Sequence, residues 1–572
     1  MGLDWLGMHW ADWGVILLYL IGSLVIGVRA MNRIKDSASY FIGDRKYGHW
    51  MMIFFSFGAG THSDQAVGVA SKTYQVGASG IWYQWIYLLA TPFYWLIPPM
   101  MRRMRAVTTS DYFDTRYGPT VSVLYAFTGV LQIVISIGVM LKGTGAMITA
   151  CSGGHIPPVP AIIGMTVLFV VYGMAGGMAA AIATNFIQGI LTIVLSFMLL
   201  PAAMDAVGGM DGLRQALDPK MLEIVTAEEI TLFYVIMVGF NGLIGWPVQP
   251  HSMANAAAGR SEIEGRVGVT GGNFIKRVCT IAWMFTGLAA VAYYAGKEVE
   301  DTDRIFGEMA YILLPQISAG LIGLFIASML ASVMSSCDAF MTAAAGLFTE
   351  NIYRPMLVRN KSQKHYIQAG RVASLVIVIF GVLLALKFES VLTGLETFWM
   401  VAAMMGMAFW VGLYWRGATA GGAWASTVVS FALMLFTSEM SLGSWKWDFD
   451  GHFARYLPEF MLYQGKLTIP WQMTIYLAAG LVALVVVSWF TKKRDKAILD
   501  KIFASLRTPI GKDEPECGPF TLPPGVKPAP REVLIDIPGF EIPKPSLVGM
   551  AGFIGSWIFA GFLIWVVYWI LG

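Results

Sequence analysis

The chain has 572 residues, of which 56% are hydrophobic and only 13% are charged, and its mean hydropathy is +0.62. This composition excludes a soluble globular protein and predicts an all-α protein that crosses a membrane many times. The net charge is only +3.

Apolar runs long enough to span the ~30 Å hydrocarbon layer recur along the whole chain. Two of them, 48–77 and 230–257, are interrupted by Gly or Pro. The pattern therefore predicts about 14 transmembrane helices, two of them broken. The runs lie near residues 13–29, 48–77, 80–100, 119–148, 158–177, 180–204, 230–257, 272–296, 311–348, 369–387, 391–415, 418–437, 472–491 and 547–570.

The basic residues predict the orientation in the membrane. If the N-terminus is external, the cytoplasmic loops contain 29 Lys and Arg residues and the external loops 8. By the positive-inside rule, both termini are expected on the external side of the plasma membrane. The basic loops indicate topology rather than nucleic-acid binding. The cytoplasmic loops in this assignment are 29–47, 101–118, 258–277, 349–371, 416 and 492–545.

The chain is expected to have no separate soluble domain. Its four cysteines follow neither a disulfide framework nor a metal-binding spacing. The predicted divisions are 1–46 (external N-terminus, first peripheral helix and cytoplasmic loop), 47–205 (first inverted repeat), 230–415 (second inverted repeat), 418–491 (two peripheral helices with an external loop), 492–545 (Pro-rich cytoplasmic linker) and 546–572 (last transmembrane helix).

The second apolar run carries polar residues at mid-depth. In FFSFGAGTHSDQAVGVA, residues 54–70, the sequence Gly58-Ala59-Gly60 weakens the helix and is followed by His62, Ser63, Asp64 and Gln65. A carboxylate at this depth costs roughly 2.5–3.5 kcal/mol, so it indicates a pathway or binding residue. A broken helix with polar side chains at the midplane is typical of a carrier.

The seventh run, GFNGLIGWPVQPHSMANAAAG, is interrupted in the same way by Gly245, Pro247 and Pro250. It begins five spans after the first interrupted run. An odd number of crossings gives the two units opposite orientation, so we expect two inverted five-helix repeats with broken first helices. A binding site is expected between the two breaks.

In the ninth run, Ser332, Ser335 and Ser336 follow the spacing of one helical face. Their hydroxyls, with carbonyls freed at the break near Gly58 and Thr61, are oxygen ligands that suit a sodium ion. The alternative is that the small serines only allow close helix packing.

Several motifs resemble those of the sodium:solute symporter family. They are SYFIGDRKYGHWMMIFFSFGAGTHSDQAVGVASKTYQVGASGIWYQW from Ser39, DYFDTRYG at 111–118, GGMAAAIATNFIQG at 176–189, QPHSMANAAAGRSE at 249–262 and MSSCDAFMTAAAGLFTENIYR at 334–354. The resemblance implies a leucine-transporter-like fold and sodium-driven uptake. It also implies a sodium site with carbonyls from Gly58, Thr61 and Ser332 and hydroxyls from Ser335 and Ser336.

The chain departs from the family pattern at three positions. Asn185 stands where some members have an aspartate linked to a second sodium, and Gly60 stands where proline carriers have an aspartate. Asp64 falls near a glutamate position of sugar carriers, whereas Gln249-Pro250-His251 resembles the proline type. These markers conflict and select no substrate.

The polar residues near the two breaks are predicted to bind the solute. For Asp64 the alternative is an ion pair with Lys72 or Lys142, and for the histidines it is a packing role. The predicted solute-binding residues are Asp64, Gln65, Gln84, Tyr87, Asn241, Gln249 and His251.

The sequence thus predicts a sodium-coupled symporter that takes a small polar organic solute, such as an amino acid or a sugar, into the cell. Its expected partners are the solute, sodium and the lipid membrane. One alternative is proton coupling through Asp64, His62 or Glu396; another is a solute sensor built on a symporter core. An enzyme is not expected, since the sequence shows no catalytic triad or metal-ligand spacing.

Overall fold

The computed structural model describes residues 4–31, 48–106, 108–442, 445–511, 514–515 and 517–572. Its α-helices are α1 Trp10–Met31, α2 His49–Gly60, α3 Ser63–Val76, α4 Trp82–Trp85, α5 Ile97–Arg103, α6 Thr109–Tyr117, α7 Pro119–Cys151, α8 Pro158–Met198, α9 Leu200–Ala206, α10 Gly209–Ala216, α11 Leu232–Gly245, α12 Ser252–Ala257, α13 Glu262–Tyr293, α14 Ile305–Ile317, α15 Leu321–Phe348, α16 Gln363–Lys387, α17 Val391–Ala402, α18 Gly406–Tyr414, α19 Ala420–Phe436, α20 Phe449–Phe453, α21 Ile469–Phe490, α22 Lys496–Arg507 and α23 Leu547–Leu571.

Short 3-10 and π turns and three antiparallel hairpins complete the described structure. The 3-10 turns are Gly77–Ile81, Thr91–Trp95, Pro219–Leu222, Trp246–Val248, Thr302–Arg304, Ala454–Tyr456 and Glu459–Met461, and the π turn is Thr349–Leu357. The hairpins pair β1 Asp4–Trp5 with β2 Met8–His9, β3 Met440–Leu442 with β4 Trp445–Trp447, and β5 Leu462–Tyr463 with β6 Lys466–Leu467. The prediction of an all-α chain missed these hairpins because each strand has only two or three residues.

The described helices fit a multi-pass membrane protein. By length and composition, 8 of them can cross a membrane, and four shorter apolar helices accompany them. The run at 80–100 is not one of the 8, because Pro92, Pro98 and Pro99 divide it into short helical pieces. The number 14 therefore stays a prediction.

The first predicted break is present, but it lies after the glycines. The helix α2 continues through Gly58 and ends at Gly60, and Thr61 and His62 are extended, with φ/ψ of −129/115° and −137/162°. The helix α3 then starts at Ser63. The buried surroundings of Gly58 support helical backbone there despite its low propensity.

The second break lies at the Trp-Pro sequence. The helix α11 runs unbroken through Asn241 to Gly245, a 3-10 turn covers Trp246–Val248, and Gln249 is extended at ψ 133°. The short helix α12 follows. Both breaks lie among the same helices, since α13 packs against α2, α3 and α12, and α15 packs against α2, α3 and α8.

The stretch predicted as a Pro-rich linker is docked along the ends of the helices. We call its described residues within 495–545 the C-terminal segment. It begins with α22, and Phe520 is fully buried, with its N–H donating to the carbonyl of Met104 at 2.7 Å. Farther along, Arg416 donates its backbone N–H to Gly539 at 2.8 Å. Proline spacing did not reveal these contacts because they are long-range in sequence.

Candidate functional site

The three serines of α15 meet the end of α2 in a fully buried cluster. Ser336 Oγ donates to the Gly58 carbonyl at 3.2 Å and to the Ser332 carbonyl at 3.4 Å. Ser332, Ser335 and Ser336 are each 0% exposed. Hydrogen bonds therefore join three of the five residues predicted to bind sodium: Gly58, Ser332 and Ser336.

The fifth residue, Thr61, lies at the break and lines the neighbouring cavity. It caps α2 in an extended conformation, and it is fully buried. The last carbonyls of a helix have no partner within the helix, so the end of α2 presents carbonyl oxygens to groups outside it. Such oxygens and hydroxyls are the ligands that a small hard cation takes.

Gly58 sets how closely α2 approaches α15. A Cβ on Gly58 would lie 2.9 Å from Ser335 Oγ and 3.4 Å from the Asn185 carbonyl oxygen. Ser335 Oγ in turn donates to Asn185 Oδ1 at 2.9 Å. Asn185, which stands where some family members have an aspartate, thus contacts the serine cluster itself.

A cavity of about 70 Å³ lies at the first break. Space of this size holds water or a small ligand. Six of the seven predicted solute-binding residues line it: Asp64, Gln65, Gln84, Tyr87, Gln249 and His251.

Asn241 is the predicted solute-binding residue that the structure places elsewhere. It is 1% exposed within α11; its Nδ2 donates to the Trp399 carbonyl at 2.9 Å, and its Oδ1 accepts from the Tyr476 hydroxyl at 2.6 Å. Its polar atoms hold α11 against two neighbouring segments. Because α11 continues to Gly245, Asn241 lies before the break rather than in it.

The polar residues after the first break form one connected network. Asp64, which is fully buried, pairs with His62 through Oδ1 and Nδ1. Gln65 Nε2 lies 3.1 Å from His62 Nε2 and donates to the Gly60 carbonyl at 3.3 Å. Lys72 pairs instead with Glu229 at 2.5 Å. The alternative prediction of an ion pair between Asp64 and Lys72 is therefore wrong.

The cavity also contains two cations that sequence reasoning placed in a cytoplasmic loop. Lys276 and Arg277 lie inside α13 and line the cavity with Asn273. The sequence Ser261-Glu262-Ile263-Glu264 is a helix-start signal, and α13 does begin at Glu262. That signal would have moved both residues from the loop into the helix.

Phe340 connects the serine cluster with the cavity. It belongs to α15, one turn after Ser336, and lines the cavity. Its ring centroid lies 6.4 Å from that of His62 and 5.3 Å from that of His251. One helix therefore contacts both breaks.

Broken helices, an oxygen-lined cluster and an adjoining polar cavity together define a membrane carrier. The Sodium:solute symporter family model matches residues 40–430. Because this range covers more than half of the chain, the chain belongs to that family. The recognition made from the sequence motifs is confirmed.

The chain is similar to several characterised transporters. It is 26% identical over 439 residues to the osmoregulated proline transporter OpuE of Bacillus subtilis (strain 168), which covers 73% of this chain and 87% of the relative. It is 22% identical over 484 residues to the sodium/glucose cotransporter of Vibrio parahaemolyticus, with 76% and 86% covered. A solved Na+-coupled sialic acid symporter superposes with a TM-score of 0.69 at 18% identity, covering 85% of this chain and 99% of that one.

Membership in this family makes the chain a symporter of a small organic solute and not an enzyme. The superposition shows that the fold is shared with the Na+-coupled sialic acid symporter. The relatives differ in their named solutes, so they leave the substrate of this chain open.

Proposed function

We propose that this protein couples the inward movement of sodium to the uptake of a small polar organic solute. Sodium binds in the serine cluster, to carbonyls of Gly58, Thr61 and Ser332 and to hydroxyls of Ser335 and Ser336. The observation that supports this most is the Ser336–Gly58 contact, which brings a buried hydroxyl and a helix-end carbonyl to 3.2 Å.

The solute is proposed to occupy the cavity. Its polar groups contact Asp64, Gln65, Gln84, Tyr87, Gln249 and His251, while Asn241 supports the second break from behind. Sodium stabilises the contact between α2 and α15, and α15 reaches the cavity through Phe340. One sodium crossing 100 mV supplies about 2.3 kcal/mol, which supports roughly 40-fold accumulation of solute.

The same proposal includes two inverted repeats, 47–205 and 230–415, and a plasma-membrane orientation with both termini outside. The matching positions of the two breaks support the repeats. Without Lys276 and Arg277, the cytoplasmic loops still contain 27 Lys and Arg residues, against 8 in the external loops.

Cysteine labelling from outside the cell tests the orientation, in a Cys517→Ser background. Glu459→Cys should react and Lys527→Cys should be protected, and the reverse would overturn it.

Sodium binding is tested directly by thermal unfolding of the purified protein in NaCl and in choline chloride at equal ionic strength. Sodium should raise the melting temperature, because a ligand that binds only the folded state stabilises it. Ser335→Ala with Ser336→Ala should weaken the apparent sodium affinity by roughly tenfold or more, about 1.4 kcal/mol. Ser430→Ala, a buried serine bonded to the Tyr476 carbonyl, is the matched control. A melting temperature that does not respond to sodium would contradict the proposal.

Proton coupling is a second candidate, and the buried His62–Asp64 pair beside the cavity favours it. Histidine and carboxylate groups inside membrane proteins form the proton relays of pumps and transporters. Vesicles with a pH gradient but no sodium separate the two candidates. Solute uptake under that condition would support protons, and its absence would support sodium.

A further inference from the structure

Two buried cations face the cavity without a carboxylate partner of their own. Lys276 is 7% exposed and Arg277 is 0% exposed. Lys276 Nζ donates to the Gly60 carbonyl at 2.7 Å. Arg277 donates to the Gln84 carbonyl and, at 3.2 Å, to Asn273 Oδ1. Among the described residues, no carboxylate oxygen lies within 4 Å of either cation.

Lys72 is a lysine whose charge is balanced by a carboxylate partner. It lies outside the cavity lining, and its ammonium contacts Glu229 at 2.5 Å. Burying a charge without a counter-charge is costly, so buried cations are normally paired in this way. The buried Arg116 also lacks a carboxylate partner within the described part of the chain, but it donates to three carbonyls outside the cavity. Lys276 and Arg277 depart from the norm at the place where a solute would bind.

The described cavity lining contains one acidic residue, Asp64. With Lys276 protonated and His62 and His251 neutral, two cations and one carboxylate leave the lining with one net positive charge. Asp64 is already engaged by His62, and protonation of His62 would make the surplus larger. The lining therefore attracts negative charge in either state of that histidine.

We infer that the solute is an organic anion whose carboxylate binds at Lys276, with Arg277 adding to the attraction. This inference rests on the proposed function, because it names the chemical class of the solute in the same cavity. Ammonium and guanidinium groups donate charge-assisted hydrogen bonds to carboxylates. A bound carboxylate neutralises the net positive charge of the cavity lining.

The first experiment measures binding by thermal shift in sodium buffer with compounds that differ in charge. The pairs are L-lactate with L-lactamide and D-glucuronate with D-glucose; L-proline adds a neutral zwitterion. An anion should raise the melting temperature while its neutral analogue does not. Lys276→Met should weaken that binding by roughly tenfold or more, and Lys276→Arg should retain it. Binding of lactamide, glucose or proline without binding of either anion would overturn the inference.

The second experiment needs no solute. Removing an unbalanced buried cation should stabilise the protein, so Lys276→Met should raise the solute-free melting temperature by about 2–4 °C. Lys72→Met, the matched control, should lower it because Glu229 loses its partner, and it should leave anion binding unchanged. A fall with Lys276→Met would show that the lysine only supports the Gly60 carbonyl, and would overturn the inference.

Sodium separates this inference from the proposed function. Lys276→Met should keep the sodium-dependent shift of the wild type, since Lys276 is not part of the serine cluster. Loss of the sodium response in the wild type would contradict sodium coupling, whereas anion selectivity would still be decided by the charge pairs and the solute-free melting temperature.

Discussion

The cations of the cavity and the cations beside the C-terminal segment have different partners. In the cavity, Lys276 and Arg277 donate mainly to carbonyl oxygens. Beside the C-terminal segment, three arginines meet carboxylates. Arg103 contacts Glu262 at 2.7 and 2.8 Å, Arg105 contacts Glu514 at 2.6 and 3.1 Å, and Arg416 contacts Asp500 at 2.6 Å and Glu541 at 2.9 Å.

The difference separates charges that hold the structure from charges that face a ligand. Fully paired arginines give permanent contacts, because bidentate bonds fix both partners. Cations bonded only to carbonyls still attract an anion. Substitutions in the first group should therefore change stability, and substitutions at the ligand sites should change affinity.

The largest effect is expected for Gly58→Ala at the sodium site. The added Cβ would lie 2.9 Å from Ser335 Oγ and fill the space between the ligands. We expect sodium affinity to fall roughly a hundredfold, about 2.8 kcal/mol, with little change in the sodium-free melting temperature. Gly164→Ala, whose Cβ would have no atom within 4 Å, is the control. Unchanged sodium affinity in Gly58→Ala would show that sodium does not bind at this position.

A smaller effect is expected for Asn241→Leu, and it concerns stability. The substitution leaves the Tyr476 hydroxyl and the Trp399 carbonyl without their partner, which costs about 1–3 kcal/mol. The melting temperature should fall while sodium affinity stays the same. Binding of any solute found by screening should also persist. Loss of solute binding without a loss of stability would show that Asn241 contacts the solute.

The smallest effect is expected for Glu514→Gln, which should loosen the C-terminal segment by about 1 kcal/mol, since local undocking limits the cost. Partial burial alone would raise the pKa of Glu514, but its bonds with Arg105 and the Gly511 N–H outweigh that and lower it. The ion pair of the wild type therefore stays formed at pH values above the usual pKa range of Glu. It is lost only as the pH falls through the lowered pKa of Glu514. Trypsin cleavage after the exposed Arg531, which is followed by Glu532, should be faster in the variant at neutral pH. Equal cleavage rates there would show that the pair does not hold the segment.

The sequence predicted the helical membrane class, the two breaks and the serine face, because each depends on local composition and spacing. It placed the first break at Gly58 to Gly60, whereas packing keeps those residues helical and the chain leaves the helix at Thr61 and His62. Local propensity is overridden where a glycine allows close helix contact.

What the sequence missed depends on contacts between distant residues. Lys276 and Arg277 looked like loop cations, and only the position of α13 beside the first break brings them to the cavity. The docking of Phe520 on Met104 likewise joins residues far apart in the chain. Neither contact leaves a periodic signal, so neither could be predicted from one sequence.

Gly143 limits how the specificity of this cavity can be redesigned. A Cβ at this position of α7 would lie 2.6 Å from Asp64 Cβ and 2.7 Å from Asp64 Cα. Any larger residue there must displace the start of α3, and with it the carboxylate. Engineering a different solute preference therefore has to leave position 143 as glycine and work from the walls formed by Gln84 and Gln249. The carboxylate is held in place by the absence of a side chain on a neighbouring helix.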